Sequence, residues 1–301
     1  WDFSINTVVD AAWASSNTFP INNRMQAQAG PQTAAISYGG RTYPGPNAAN
    51  NNASTYDGSS WTAIPSISNS RYFLSGAKEG TQTAAMCCAG QGPGGATNST
   101  EEYNGSSWTG SGAYPISTST GDHGGGTQTA AIIAGGYGGT PTPYTAQTST
   151  YDGSSWTALS SPSNLNTARS YGSMCGPQTA ALLVSGQPGT GGAESWNGSS
   201  WTAVTALSTT RNYAGASGSN TSALVWGGEL PPGAAQTNVS ESWNGSAWSA
   251  SANMGVPGYS GGASGSSSSA LATGGTEGGS GRASATEEFT GASTTIGPSQ
   301  T

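Results

Sequence analysis

Charge is what this chain has least of. Only 7% of its 301 residues are Asp, Glu, Lys or Arg, with one lysine, Lys78, and one histidine, His123. Seven cationic side chains against 14 acidic ones give a net charge of −7, too few cations to hold a phosphate backbone, so no nucleic-acid partner is expected. A lone histidine leaves imidazole-based metal binding or His-centred nucleophilic catalysis to rest on one residue in "GDHGGGTQ", and His123 is read as a turn residue without such a role. Cys87, Cys88 and Cys175 have no metal-ligand spacing. Adjacent Cys87 and Cys88 on a strand face opposite ways, so all three read as buried small hydrophobes, a bridge from Cys175 to one of the pair being the alternative. No metal or cofactor is expected. No apolar run reaches membrane-spanning length, and no helical periodicity of useful length appears. The chain begins at Trp1 without an initiator Met or a signal-peptide pattern, which reads as processing, trimming or membership of a longer polypeptide.

What is abundant is glycine, 48 residues, together with 10 Trp and 12 Tyr. That aromatic content separates the chain from a disordered one. The aromatics also recur: "YDGSSW" at Tyr56 returns as "YNGSSW" at Tyr103, "YDGSSW" at Tyr151, "WNGSSW" at Trp196 and "WNGSAW" at Trp243. Trp13, Trp61, Trp108, Trp156, Trp201 and Trp248 are 48, 47, 48, 45 and 47 positions apart. A second landmark keeps phase with them, from "PQTAAISYGG" at Pro31 to "SSALATGG" at Ser268, giving six units.

Each unit reads as four short strands, with Asn-Gly or Asp-Gly marking the hairpin between the third and fourth because both residues accept positive φ. The "TAA" run is small enough for inner strands near an axis, and bulky Tyr and Trp suit the outer strands, where blades diverge. The last unit has "EEFTGAST" from Glu287 without a following Trp, while Trp13 is unmatched at the other end. Residues near Ala12–Ser16 are therefore expected to supply the last blade's fourth strand and close the ring. The expected organisation is an all-β, six-bladed propeller of four-stranded antiparallel blades over 12–301, with 1–11 as an extension or connection.

A β-run ending in Gly-Gly, then an aromatic, then a Trp opening the last strand resembles the kelch repeat over about residues 12–296, with an aromatic-to-Trp spacing (61 − 56 = 5) shorter than most kelch repeats. The "YNGSSWT…TQTAA" arrays are also similar to repeats in structural proteins of tailed bacteriophages and bacterial surfaces. A propeller is a scaffold, so function has to come from sites. "STYDGSSW" at Ser54 and Ser149 is similar to the Asp box of sialidases, but Asp57 and Gly58 are adjacent where the box has an intervening residue, and Asn104, Asn197 and Asn244 share the position. Turn chemistry accounts for the position, and for the Asn-Gly-Ser matches to a glycosylation acceptor.

Arg24, Arg71, Arg169 and Arg211 fall at one repeat phase, so they could ring the axis and hold the carboxylate or sulfate of an acidic glycan. Glu101, Glu194, Glu241 and Glu287 stand at another constant phase, and their covariation with the arginines favours an internal Arg–Glu pair. Loops between second and third strands vary in length and carry Tyr43, Tyr137 and Tyr144 on one expected contact face. The reading is a non-enzymatic structural or adhesive propeller outside the cytoplasm, on a virion or cell surface. Its expected partners are virion or surface proteins or host glycans; the alternatives are a glycan-binding lectin and, behind it, a sialidase-like glycosidase.

Overall fold

The computed structural model describes residues 6–42, 48–121, 123–138, 143–188, 191–231, 235–259, 261–276 and 284–296. Six four-stranded antiparallel sheets form a ring, a six-bladed β-propeller. Blade I runs Ala27–Ala29, Ala35–Tyr38, Ala53–Tyr56 and Trp61–Ile64 from axis to rim. Blades II to V repeat that order from first strands Ser75–Gly76, Gly124–Thr127, Ser173–Cys175 and Gly215–Gly218. Blade VI takes Gly262–Gly265, Ser269–Thr273 and Thr286–Thr290 from the C-terminal end and Ala12–Ser15 from the N-terminal end. Trp13 there pairs with Phe289, as Trp61 does with Tyr56. A further two-stranded pairing, Asn6–Val9 with Ser293–Ile296, continues beyond the closure.

The strands nearest the axis are rich in Gly, Ala and Ser because the first strands of neighbouring blades touch one another there. The "TAA" run lies one step further out: Thr33 and Ala34 belong to the turn between first and second strands, and Ala35 opens the second. The hairpin prediction needs a similar refinement. Gly58 alone takes positive φ, +91°, while Asp57 accepts from the backbone N–H groups of Ser59 and Ser60 at 2.8 and 2.7 Å. Asn104, Asp152, Asn197 and Asn244 accept in the same way. Position 57 and its equivalents therefore need a short side-chain acceptor, which Asp and Asn both provide. These bonds to the Ser60 and Ser59 groups hold the Asp57 carboxyl far below the usual carboxylate range, and similar ones bring Asp152 down to about 2.

Among the described residues there is no single core. Six buried clusters each lie between two adjacent blades, such as Ile36, Tyr38, Leu74 and Cys87 between I and II. The aromatic pairs of the repeated motif stack within their blades at 4.9 to 5.3 Å. Each fourth-strand indole then donates to the preceding blade: Trp61 to Thr286 Oγ1, Trp108 to Pro65 O, Trp156 to Thr100 Oγ1, Trp201 to Thr148 Oγ1, Trp248 to Thr205 O and Trp13 to Ser240 Oγ. A second clamp comes from the Gln of "QTAA". Gln128 donates to Ala85 O and Tyr103 O of blade II at 3.0 and 2.9 Å. Gln32, Gln82 and Gln178 bond equivalent carbonyl pairs.

Gln128→Ala leaves two carbonyls without their amide donor, so urea unfolding should show a loss of about 1–3 kcal/mol. Deleting residues 1–11 should leave the ring folded. Deletion through Ser15 should expose the edge of Thr286–Thr290 and produce a large loss of stability with aggregation, read by melting temperature and light scattering.

Candidate functional site

Antiparallel alternation puts the starts of the first strands, the second-to-third-strand loops and the inter-blade connections at one end of the ring, here the mouth. The hairpins bearing Asp57 and its equivalents lie at the other end.

The predicted arginine ring resolves into something else. Arg71, Arg169 and Arg211 are buried and paired within their own blades, Arg71 with Glu101 at 2.6 Å, Arg169 with Glu194 at 2.5 Å and Arg211 with Glu241. Each also donates through Nη1 to two carbonyls of its blade, for Arg71 those of Ala89 and Ser99. The second carboxylate oxygen accepts a backbone N–H from the connection leading into the blade: Ser68, Asn166 and Ser208. Glu287 does this for Gly255. The pair therefore fastens connection to blade.

Arg24 is one residue out of phase. Positive φ marks Met25, Phe73, Tyr171 and Tyr213 as equivalents, which aligns Asn23, not Arg24, with Arg71. Asn23 Nδ2 donates to Gly39 O at 2.7 Å, the counterpart of the Arg71 bond to Ala89 O. Blade I thus carries neither member, with Asn23 and Ser54. Blade III matches it with Ser119 and Ser149, so only blade VI has the Glu without the Arg. Arg24 itself sits on the mouth and donates to Thr276 Oγ1 at 3.2 Å.

The channel behind the mouth is occupied. Blade II spends 11 positions from Arg71 to Gln82 (82 − 71), where blade IV spends nine from Arg169 to Gln178 (178 − 169). Its extra pair, Lys78 and Glu79, enters the channel. Lys78 Nζ donates to Ser173 Oγ of blade IV and Ala216 O of blade V, both at 3.0 Å. Glu79 accepts the backbone N–H of Gly126 at 2.5 Å and of Gly176 at 2.8 Å, and burial raises its pKa. Two adjacent side chains thereby tie blade II to III, IV and V.

His123 is buried, not in an exposed turn. Its Nδ1 bonds Ala134 O at 2.9 Å, and Nε2 accepts from Gly172 N of the next blade at 2.8 Å. Both contacts suit a neutral ring. Burial, with Arg169 and Lys78 adding to it, lowers the pKa to about 3. Cys87, Cys88 and Cys175 are buried and unbridged, burial pushing the first two thiols up to about 11 and about 12. Among the described residues no group of three His, Cys, Asp or Glu could hold a metal ion.

What the mouth presents is aromatic. Phe73, Tyr171 and Tyr213 crowd the axis, with ring centroids 4.7 Å apart for Tyr171 and Tyr213 and 5.4 Å for Phe73 and Tyr171. Tyr72, Tyr137 and Tyr259 extend the patch at 5.4, 6.1 and 5.7 Å. Tyr144 packs on Tyr137 at 6.0 Å, and Tyr137 is 41% exposed. Tyr43 lies outside the described residues. The patch escaped sequence reading because Phe73, Tyr171 and Tyr213, though at one phase, come from different blades and meet only when the ring closes, while Tyr72, Tyr137 and Tyr259 stand at other phases. The sequence signal was the aromatic residue two places after each of Arg71, Arg169 and Arg211.

The class these features define is a six-bladed β-propeller whose channel is filled and whose mouth is aromatic. No model of a known protein family and no curated protein matches the chain.

Two expectations follow for the buried charges. Arg71→Ala strands Glu101 and should cost about 3–5 kcal/mol. Arg71→Asn with Glu101→Ser, copying blade I, should cost less than the single change in denaturant titrations. For His123, the unfolded chain takes up a proton below its ordinary pKa of 6.5 and the folded chain only near 3. Stability should therefore fall as pH drops through that window, by at most about 1.4 kcal/mol per pH unit. His123→Gln should flatten the slope measured between pH 6.5 and 5.

Proposed function

We propose that the protein is a non-enzymatic, kelch-like structural or adhesive propeller displayed outside the cytoplasm. Its setting is a tailed-bacteriophage virion, as a tail, fibre or capsid-decorating part that contacts a host surface or a neighbouring subunit. The observation that carries this reading is the mouth, an aromatic face framed by loops of unequal length on a ring whose blades are locked to one another. Groups that could do acid–base or ionic chemistry elsewhere are engaged in the scaffold: His123 bridges two blades, Arg71, Arg169 and Arg211 hold glutamates, and Asp57 and Asp152 cap hairpins. Rigid scaffolds with variable loops commonly place binding on those loops. The six rim tryptophans bond the preceding blade, so they serve closure. This favours one asymmetric contact face over six equivalent lectin sites.

The test uses a fluorescently labelled chain and a panel of intact bacterial strains. Retention on at least one strain should fall fivefold or more with Tyr137→Ala/Tyr144→Ala and be unchanged by Asp57→Asn at the opposite end. Retention indifferent to the mouth, or no retention together with hydrolysis of glycosides, would sink the reading.

A further inference from the structure

The positive-φ residues of the mouth are linked through their backbones. Phe73 N donates to Met25 O at 3.0 Å, Gly121 N to Phe73 O at 2.9 Å and Tyr213 N to Tyr171 O at 2.8 Å. These bonds run from blade to blade across the turn that Met25, Phe73, Gly121, Tyr171 and Tyr213 hold at φ between 51° and 61°. Gly121 makes the turn with no side chain, whereas this region is costly for bulky residues. The turn itself therefore does not call for aromatic rings at Phe73, Tyr171 and Tyr213, and their use has to be read from what they surround.

The three rings share the wall of a cavity of about 30 Å³ at the axis with Met25, Gln26 and Leu74. Among the described residues no charged side chain lines it, and Gln26 is its one polar side chain besides the tyrosines. Gln26 is 4% exposed. Its Nε2 donates to Thr273 O of blade VI at 2.9 Å, which fixes the orientation of the amide. Its Oε1 has no hydrogen-bond partner in the protein. A buried carbonyl oxygen in that state costs free energy, so the cavity favours a group that brings it a donor. A space of this size takes about two water-sized groups, so the entering group is short and carries its donor at the tip. It is also neutral, because no carboxylate lines the cavity to pair a buried ammonium. The body of the ligand stays outside, against the half-buried rings of Phe73, Tyr171 and Tyr213.

We propose that the axial mouth binds a terminal neutral hexopyranose, with its exocyclic hydroxymethyl in the cavity donating to Gln26 Oε1 and its C–H face resting on Tyr171 and Tyr213. The inference rests on the adhesive reading above and names the chemistry of its partner. The hydroxymethyl is a single carbon ending in a hydroxyl, which suits both the space and the lone acceptor. The pyranose body is too wide to follow it, and one of its faces bears mainly C–H groups. Such a face suits aromatic surfaces edged by phenol hydroxyls. Because the cavity is formed where blades meet at the axis, the chain offers this site once and not once per blade.

The test is a printed array of neutral oligosaccharides ending in glucose, galactose or mannose, probed with the labelled whole chain. Each stands beside a methyl counterpart, whose terminal sugar has a methyl in place of the exocyclic hydroxymethyl. At least one hexose should bind, and its methyl counterpart should bind about tenfold or more weakly, because it leaves the buried acceptor without a donor. Gln26→Leu keeps the bulk of the side chain and removes Oε1, so it should weaken hexose binding by a similar factor and erase the discrimination. It also loses the bond to Thr273 O, so its melting curve is recorded beside its binding. The comparison of sugars on the unaltered chain decides the matter even where that variant does not fold. Blank hexose spots, equal signal on the methyl counterparts, or a folded Gln26→Leu chain that still discriminates would each overturn the inference. Retention on cells that depends on Tyr137 and Tyr144 would stand in each of those cases, so the two failures are separable.

Discussion

The structure depends on each blade reaching back to the one before it. A four-stranded blade has two broad faces and cannot bury either alone, so its stability comes from its neighbours. Hydrophobic burial supplies the attraction but is not directional. Direction comes from the indole N–H and the Gln amide, which fix how far each blade turns relative to the last. Trp156 reaches Thr100 Oγ1, while Gln128, in the same blade, reaches Ala85 O and Tyr103 O. The indole bond recurs at all six junctions and the Gln clamp at four, and together with burial between blades they favour a closed circle. Ala12–Ser15 completes it with a strand drawn from the far end of the chain.

Once the ring is closed, scarce charge is used mostly inside it. The Arg71, Arg169 and Arg211 pairs fasten connections to blades, and blades I and III manage with Asn or Ser. Buried ion pairs more readily specify geometry than add stability, and the natural substitution by small polar residues agrees with that. Lys78 and Glu79 add a different kind of tie. They span the channel and break the sixfold equivalence, so the blades around them cannot slip in register without losing specific partners. The mouth is the face where Phe73, Tyr171 and Tyr213 gather with positive φ, and where Arg24 and Arg41 stand as cross-strand partners.

Much of this was legible beforehand. The tryptophan period gave six units, and the unmatched Trp13 located the closing strand. The Arg and Glu phases pointed to internal pairs. Arg24 misled because adjacent positions on a strand differ by a whole face, and a count from one landmark is uncertain by one residue. His123 looked like a turn residue because its glycine neighbours are turn-like in sequence, but the ring is enclosed by Gly135 and Gly172, distant in sequence, where a Cβ would press on its two nitrogens.

The sequence by itself determined the repeat, the blade and the closure, because these follow from periodicity and local turn chemistry, which are encoded within about one unit. Only the tertiary structure decided that the channel is filled by Lys78 and Glu79, that the glutamines clamp neighbours, and that Phe73, Tyr171 and Tyr213 meet. Those contacts join residues from different units, and their distances depend on the curvature of the whole ring, a quantity that no single repeat contains.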